Sequence, residues 1–132
     1  MSFDNPNQKG NFGLGAAINY YTSKGYIVSL PLNDNQDYDL IVDIEGELKK
    51  VQVKTAFTKK NNNYKVFLRT ITSSTTGVKN IKKFSEVKCD YLFILTSDGT
   101  MYEIIKSEIL QNAGLTLNSD KDKFIVGKVN IY

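Results

Sequence analysis

The feature that most constrains the fold is a regular alternation of apolar and polar residues on both sides of Glu45-Gly46. Alternation with a period of two is typical of strands that bury one face, and glycine supplies the positive φ that a tight hairpin turn needs. The pattern therefore predicts strands over residues 38–44 and 47–56. A turn at this dipeptide sets Leu40 opposite Val51, and that pairing fixes the register of the whole hairpin.

This register sorts the hairpin side chains by polarity, which supports it. Asp39, Gln52 and Lys54 then converge within a few ångströms of one another on the polar face, because facing residues of an antiparallel pair share a side of the sheet. The apolar face carries Tyr38, Leu40, Val42, Ile44, Val51 and Val53, and the polar face carries Asp39, Asp43, Lys50, Gln52 and Lys54.

A carboxylate, an amide oxygen and an ammonium group together suit the hydrolysis of a phosphodiester. Hard oxygen ligands favour Mg²⁺, which keeps water and substrate phosphate oxygens in its coordination shell. Lys54 either positions the attacking water or stabilises the charge of the transition state. The alternative interpretation of Asp39 and Lys54 is a solvated cross-strand ion pair, which is common on any sheet and contributes little.

The residues around this cluster resemble a known nuclease family. The segment Pro31 to Leu40 (PLNDNQDYDL), followed after a short hairpin by Val51 to Thr55 (VQVKT), looks like the PD-(D/E)XK nucleases. The similarity extends over roughly residues 9–105. It is strongest to the branch that contains group I intron homing endonucleases of the cyanobacterial type and archaeal Holliday-junction resolvases, in which Gln can replace the second acid.

This resemblance implies a role for each residue of the cluster. Asp39 would be the principal metal ligand, the Val53 carbonyl a backbone ligand, Gln52 the occupant of the second acidic position and Lys54 the catalytic lysine. It also implies Mg²⁺ or Mn²⁺ as the cofactor and double-stranded or branched DNA as the substrate. A homodimer or homotetramer is implied as well, because cutting both strands usually needs two active sites.

One departure from the family pattern lies in the first helix. Many relatives carry a glutamate there, about where this chain has Gly13-Leu14-Gly15, and a leucine side chain cannot bind a metal. Either a second metal is absent, or Asp34, Asp37 or Asp43 supplies the ligand, or catalysis is weakened or lost and a DNA-binding module remains. The two glycines cost helix stability, so they suggest close approach of the backbone to the sheet or to a phosphate.

Composition narrows the chemistry further. With 132 residues, 41% of them hydrophobic, we expect a single domain over residues 1–132. The chain has no histidine, which excludes Ser-His-Asp and Cys-His catalysis and histidine-ligated zinc. A single cysteine, Cys89, excludes an internal disulfide and favours a reducing, cytoplasmic location. No segment approaches the ~20 apolar residues of a membrane span.

A formal charge of +3 suits a polyanionic partner without requiring one. Six basic residues are candidates for contacts with DNA phosphates, although the alternative is that they are ordinary exposed side chains. They are Lys59, Lys60, Arg69, Lys79, Lys82 and Lys83.

The remaining patterns predict an α+β restriction-endonuclease-like core, a mixed central sheet flanked by helices in the order α-β-β-β-β-α-β-β. We expect a flexible arm over residues 1–10, a helix over 11–24 ended by Gly25, strands over 26–30 and 64–69 beside those of the hairpin, and a mobile loop over 70–77. A short basic helix over 79–87, strands over 90–96 and 100–105, a short helix from Ser107 to near Gly114, and an edge strand over 124–129 follow.

Overall fold

Eleven strands and one α-helix form the regular structure of the residues that the computed structural model describes, which are 5–73, 77 and 79–131. The helix, α1, spans Pro6–Ser23. The strands are β1 (Ile27–Ser29), β2 (Leu40–Ile44), β3 (Glu47–Ala56), β4 (Lys59–Lys60), β5 (Asn63–Phe67), β6 (Thr70–Ser73), β7 (Lys79–Lys82), β8 (Tyr91–Thr96), β9 (Thr100–Ile105), β10 (Gly114–Leu117) and β11 (Ile125–Lys128).

A six-stranded mixed sheet in the order β1-β2-β3-β8-β9-β11 forms the centre of the fold. Its one parallel pair among the described strands joins β3 to β8, and the other neighbours run antiparallel. A three-stranded sheet, β10-β5-β4, and a two-stranded ribbon, β6-β7, complete the strand pairing. The predicted α+β fold with a mixed central sheet is therefore confirmed.

Two apolar clusters cover the two faces of the central sheet. On one face, α1 packs on β2, β3 and β8 through residues that include Ala17, Tyr21 and Phe93. On the other face, Leu92 and Ile94 pack against the β10-β5-β4 sheet. β3 lies between β2 and β8, and side chains of both apolar clusters pack against it. The polar residues of β3 therefore lie where the two clusters meet.

The β2-β3 hairpin has the predicted register. Leu40 pairs with Val51 and Ile41 with Lys50. Glu45 and Gly46 both have positive φ, 52° and 91°, which is the geometry of a type I′ turn. The alternation of apolar and polar residues therefore predicted the strand pairing correctly.

Gly13 allows α1 to approach β3 closely. A β-carbon at this position would lie 2.8 Å from the Thr55 Cγ2 atom, closer than packed carbon atoms tolerate. The close approach suggested by the helix glycines is therefore to the sheet at Gly13, whereas a β-carbon at Gly15 would meet nothing within 4 Å.

The predicted arm over residues 1–10 is wrong for residues 6–10, which belong to α1. The Asn5 side chain accepts a 2.9 Å hydrogen bond from the Gln8 N–H, and Pro6 occupies the first helical turn. An asparagine cap followed by proline is a standard start of a helix, and it outweighs the polar composition of the segment. Residues 1–4 lie outside the described part of the chain.

The predicted helix over residues 79–87 is also wrong, so the described residues lack the expected second helix of the element order. Residues 79–82 pair with 70–73, which contradicts the predicted loop in its first half, and residues 74–76 and 78 lie outside the described part. Pairing between the two segments, with Ile71 opposite Ile81, overrides the weak helical spacing here. Only a 3₁₀ turn, Phe84–Glu86, follows. Likewise, the helix expected from Ser107 is a 3₁₀ turn, Lys106–Glu108.

Candidate active site

Asp39 lies immediately before β2, where the chain enters the central sheet. Its N–H donates to the Val51 carbonyl at 2.8 Å, and its Oδ2 accepts a 2.7 Å hydrogen bond from the Val53 N–H. Although the residue keeps one side open to solvent, loss of hydration raises the pKa of its carboxyl group. The Val53 hydrogen bond and the charge of Lys54 offset only part of that rise. The carboxylate is thus held against β3 with few competing donors.

Lys54 lies two residues further along β3, half-buried, on the same face as Gln52. Burial lowers the pKa of its ammonium group, and the negative charge of Asp39 offsets part of that decrease. The charges of Lys54 and Asp39 therefore act on one another at this edge of the sheet, where Lys54 is half-buried and Asp39 is exposed on one side.

Gln52 is only 7% exposed, and its Oε1 atom has no hydrogen-bond donor among the described residues. A buried acceptor without a partner costs about 1–3 kcal/mol, so folded proteins rarely retain one without a reason. The side chain lines a cleft of about 430 Å³ between residues 34–37 and the β6-β7 ribbon, which we call the larger cleft. Gln52 therefore presents an unused amide oxygen beside this space.

Asp39 lines a second, smaller cleft of about 250 Å³. Leu14 of α1 forms part of its wall, at the position where the family pattern places a glutamate. Asp34 and Gln36, in the loop before β2, line both clefts. This loop therefore connects the surroundings of Asp39 with those of Gln52. Gln36 had not been singled out from the sequence, since a glutamine three residues before a candidate ligand carries no motif of its own.

Asp37 is engaged by two donors. Lys82 Nζ contacts its two carboxylate oxygens at 2.7 and 2.8 Å, and the Lys88 N–H donates to Oδ2 at 2.8 Å. Desolvation acts to raise the pKa of Asp37, but these hydrogen bonds and the Lys82 charge outweigh it and hold the pKa below its ordinary value. Asp37 thus ties the ribbon to the loop that carries Gln36.

Asp43 was considered as a replacement for the helix glutamate, but the structure gives it another role. Its Oδ1 accepts a 2.8 Å hydrogen bond from the Gly46 N–H and so stabilises the hairpin turn. It lies four residues beyond Asp39 along β2, or roughly 13 Å at the rise of a strand. Of the three aspartates considered as replacements for the helix glutamate, only Asp34 lines the cleft that contains Asp39.

The six candidate basic residues fall into separate places. Arg69 and Lys83 are both exposed and flank Thr70 and Lys82, which pair at the base of the ribbon and line the larger cleft. Lys59 and Lys60 instead lie on β4, in the three-stranded sheet, where Lys59 stacks over the Tyr64 ring with its Nζ 4.8 Å from the ring centroid. The side chain of Lys79 lies outside the described part of the structure.

Comparison with known proteins identifies the family. A family model described as PD-(D/E)XK endonuclease matches residues 4–120. The chain belongs to the PD-(D/E)XK endonuclease family. Among solved structures, this PD-(D/E)XK chain is similar to a bacterial homing endonuclease, I-Ssp6803I, with a TM-score of 0.71 and 27% sequence identity. The match covers 89% of this chain and 81% of the other. No curated protein sequence matches it significantly.

Family membership confirms the resemblance found in the sequence and the restriction-endonuclease-like fold. None of the described helices has the length and apolar character needed to span a membrane. PD-(D/E)XK nucleases generally use divalent metal ions. The described residues include no cluster of three His, Cys, Asp or Glu residues that could hold such an ion.

The residues near Asp39 offer oxygen ligands that fit a divalent ion. The buried Oε1 of Gln52 lacks a donor, as a neutral oxygen ligand would before a cation binds. The N–H and C=O groups of one strand residue project from the same edge, so the Val53 carbonyl opens on the side where Asp39 contacts its N–H. Carboxylate, amide and carbonyl oxygens are hard ligands, which suits Mg²⁺ better than zinc.

Proposed function

We propose that this protein is a Mg²⁺-dependent DNA endonuclease that hydrolyses phosphodiester bonds, with Asp39, Gln52 and Lys54 in its active site. The observation that carries the proposal is the position of the Asp39 carboxylate, which accepts the Val53 N–H at 2.7 Å and interacts electrostatically with the half-buried Lys54. Family membership supports it. Mn²⁺ is expected to substitute for Mg²⁺, since both accept oxygen ligands.

A bound divalent ion would offset charge on the phosphate and lower the pKa of a water molecule. In this proposal, Asp39 and the Val53 carbonyl hold the ion at the end of β2, and Gln52 contributes from the neighbouring position of β3. The hydrogen bond from the Val53 N–H limits the rotation of the Asp39 side chain, so the carboxylate needs little reorganisation when the ion binds.

Lys54 has two possible contributions in the reaction, and both follow from its place beside Asp39. Protonated, it donates hydrogen bonds to a phosphate oxygen and stabilises the negative charge that develops there. Its lowered pKa also makes the neutral amine more accessible than in a free lysine, so it can orient the attacking water as an acceptor. Arg69 and Lys83, at the base of the ribbon, would contact phosphates of the bound DNA.

The similarity to I-Ssp6803I supports a homing-type action on duplex DNA, and resolvase-type action on branched DNA is the competing substrate. Cleavage of supercoiled plasmid and of a synthetic four-way junction, each with Mg²⁺ or EDTA, tests the proposal. We expect Mg²⁺-dependent cutting with the plasmid as the preferred substrate. Preference for the junction would indicate resolvase-type action, and no cutting of either substrate would contradict the endonuclease proposal.

Leu14 favours one second candidate, a DNA-binding module that keeps the fold without turnover. It lines the cleft of Asp39 and offers no oxygen there. Binding that weakens as salt increases, with no cleavage in Mg²⁺ or Mn²⁺, would support this candidate. We also propose that the endonuclease works as a homodimer or homotetramer, which light scattering of the protein with and without DNA would test.

A further inference from the structure

Two glutamines that line the same cleft have buried amide oxygens without donors. The Oε1 atoms of Gln36 and Gln52 are both inaccessible to solvent, and neither has a hydrogen-bond donor among the described residues. Gln36 belongs to the loop before β2 and Gln52 to β3, yet both line the larger cleft. One orphaned acceptor is an ordinary imperfection of a fold, but two from different elements around one space point to a missing electropositive partner.

The orientation of the Gln36 amide is set by a neighbour. Its Nε2 donates a 3.1 Å hydrogen bond to the Tyr38 carbonyl oxygen, so the oxygen of the amide must face the other way. An exchange of the two amide atoms would bring two oxygens together and lose that bond. Gln36 is therefore held with an acceptor directed away from the backbone.

Charge around the cleft favours a cation over a neutral donor. Asp34 lines the larger cleft beside Gln36 and also lines the smaller cleft with Asp39. Lys82, the one lysine in the described lining of the larger cleft, already binds Asp37. Amide and carboxylate oxygens in this combination are ligands of hard divalent ions, which take several neutral oxygens as readily as carboxylates.

We propose that Gln36 and Asp34 are ligands, directly or through water, of the divalent cation held near Asp39, and that they replace the glutamate that α1 lacks at Leu14. The proposal rests on the proposed function, because it adds ligands to that metal site. It explains how a chain with few carboxylates in its active site retains enough oxygen ligands. It also gives the Lys82–Asp37 ion pair a positioning role, since that pair anchors the loop that carries Gln36.

Mn²⁺ binding to the full chain without DNA tests the proposal independently of cleavage. Calorimetry and the electron paramagnetic resonance signal of free Mn²⁺ would be measured for wild type, Gln36→Leu, Asp34→Asn and Asp39→Asn. We expect Gln36→Leu and Asp34→Asn each to weaken Mn²⁺ binding by at least about 10-fold. Gln111→Leu makes the same chemical change at an exposed position outside the described lining of both clefts, and it should bind as wild type does.

The outcomes separate the two proposals. If Asp39→Asn weakens binding while Gln36→Leu and Asp34→Asn bind like wild type, the metal site stands and the added ligands are wrong, as they would be if a water molecule satisfied both amides. If wild type does not bind Mn²⁺ in the millimolar range, the metal-dependent function itself is contradicted. Circular dichroism confirms folding of each variant, and Asp34, being exposed, provides a variant that does not depend on buried packing.

Discussion

The Oδ2 atom of Asp39 accepts a 2.7 Å hydrogen bond from the backbone N–H of Val53. This bond joins a side chain that precedes β2 to the middle of β3, and it holds the carboxylate on the side of β3 toward which the Val53 carbonyl also points. The carboxylate stays exposed on one side, and loss of hydration on the other side raises its pKa. Keeping it charged in this place therefore has a small cost in stability, which can be measured.

Replacing Asp39 with asparagine should abolish divalent-ion binding without destabilising the fold. Asparagine can still accept the Val53 hydrogen bond but carries no charge to desolvate. Because the folded pKa of Asp39 is raised, ionisation of this group lowers the stability of wild type as pH rises through that pKa. Thermal melts in EDTA should therefore give Asp39→Asn an equal or higher Tm at neutral pH, by up to about 4 °C, and an equal Tm in strong acid.

A lower Tm for Asp39→Asn at neutral pH would show that the carboxylate stabilises the fold and would remove the argument for a functional cost. Asp43→Asn is the matched control. Its carboxylate accepts the Gly46 N–H at the hairpin turn, so that change should leave metal binding as in wild type.

The affinity for Mn²⁺ should fall with pH at a higher pH than an ordinary aspartate would produce. Protons compete with the cation for Asp39, and its pKa lies above the usual value of 3.8 because burial disfavours the charged form. Lys54→Met removes the attraction that partly restores ionisation, so it should move this decline to still higher pH. Calorimetric titration across acidic pH measures both effects. A decline centred at or below 3.8 in wild type would contradict the desolvated environment.

Leu14→Glu should strengthen metal binding. Leu14 lines the smaller cleft with Asp39, so a glutamate at this helix position can direct a carboxylate into the same space. We expect Mn²⁺ affinity to increase by about 10-fold or more, with faster cleavage. Leu110→Glu, at a leucine that is 87% exposed, adds the same charge elsewhere as a control. Equal gains from both variants would attribute the effect to net charge alone.

The ribbon base should contribute more to DNA binding than the far edge of the sheet. Arg69→Gln and Lys83→Gln should each reduce the slope of log Kd against log salt by about 0.9, the change expected for one lost phosphate contact. Lys128→Gln is the matched control, because β11 forms the sheet edge farthest from β1 and β2. Filter binding at several salt concentrations provides the slopes. Equal slopes for all four proteins would make these ordinary exposed residues.

The hairpin was predictable because its side chains alternate over both strands and a glycine marks the turn. That alternation is enough to set the register, and the register alone brings Asp39 close to Lys54. The start of α1 at Pro6 was missed although Asn5-Pro6 carries a capping signal, since polar composition suggested an arm.

The β6-β7 ribbon could not be predicted from local sequence, because its stability comes from pairing between segments and from the Lys82–Asp37 contact. Gln36 was missed for a related reason. Gln36 stands out only because its Oε1 atom has no hydrogen-bond donor. Whether a side-chain oxygen has a donor can be judged only once the loop is packed against β3. Spacing along a hairpin predicts which side chains share a face, but it does not predict how a loop closes over them.

The most direct test of metal-dependent hydrolysis at Asp39 and Lys54 is single-turnover cleavage of supercoiled plasmid by wild type and Lys54→Met. Methionine keeps much of the length of the lysine stem and removes the ammonium group. We expect cutting by wild type in Mg²⁺, none in EDTA, and a rate for Lys54→Met lower by at least about 100-fold, with DNA affinity nearly unchanged. A Lys54→Met rate equal to that of wild type, or wild-type cutting that persists in EDTA, would contradict it.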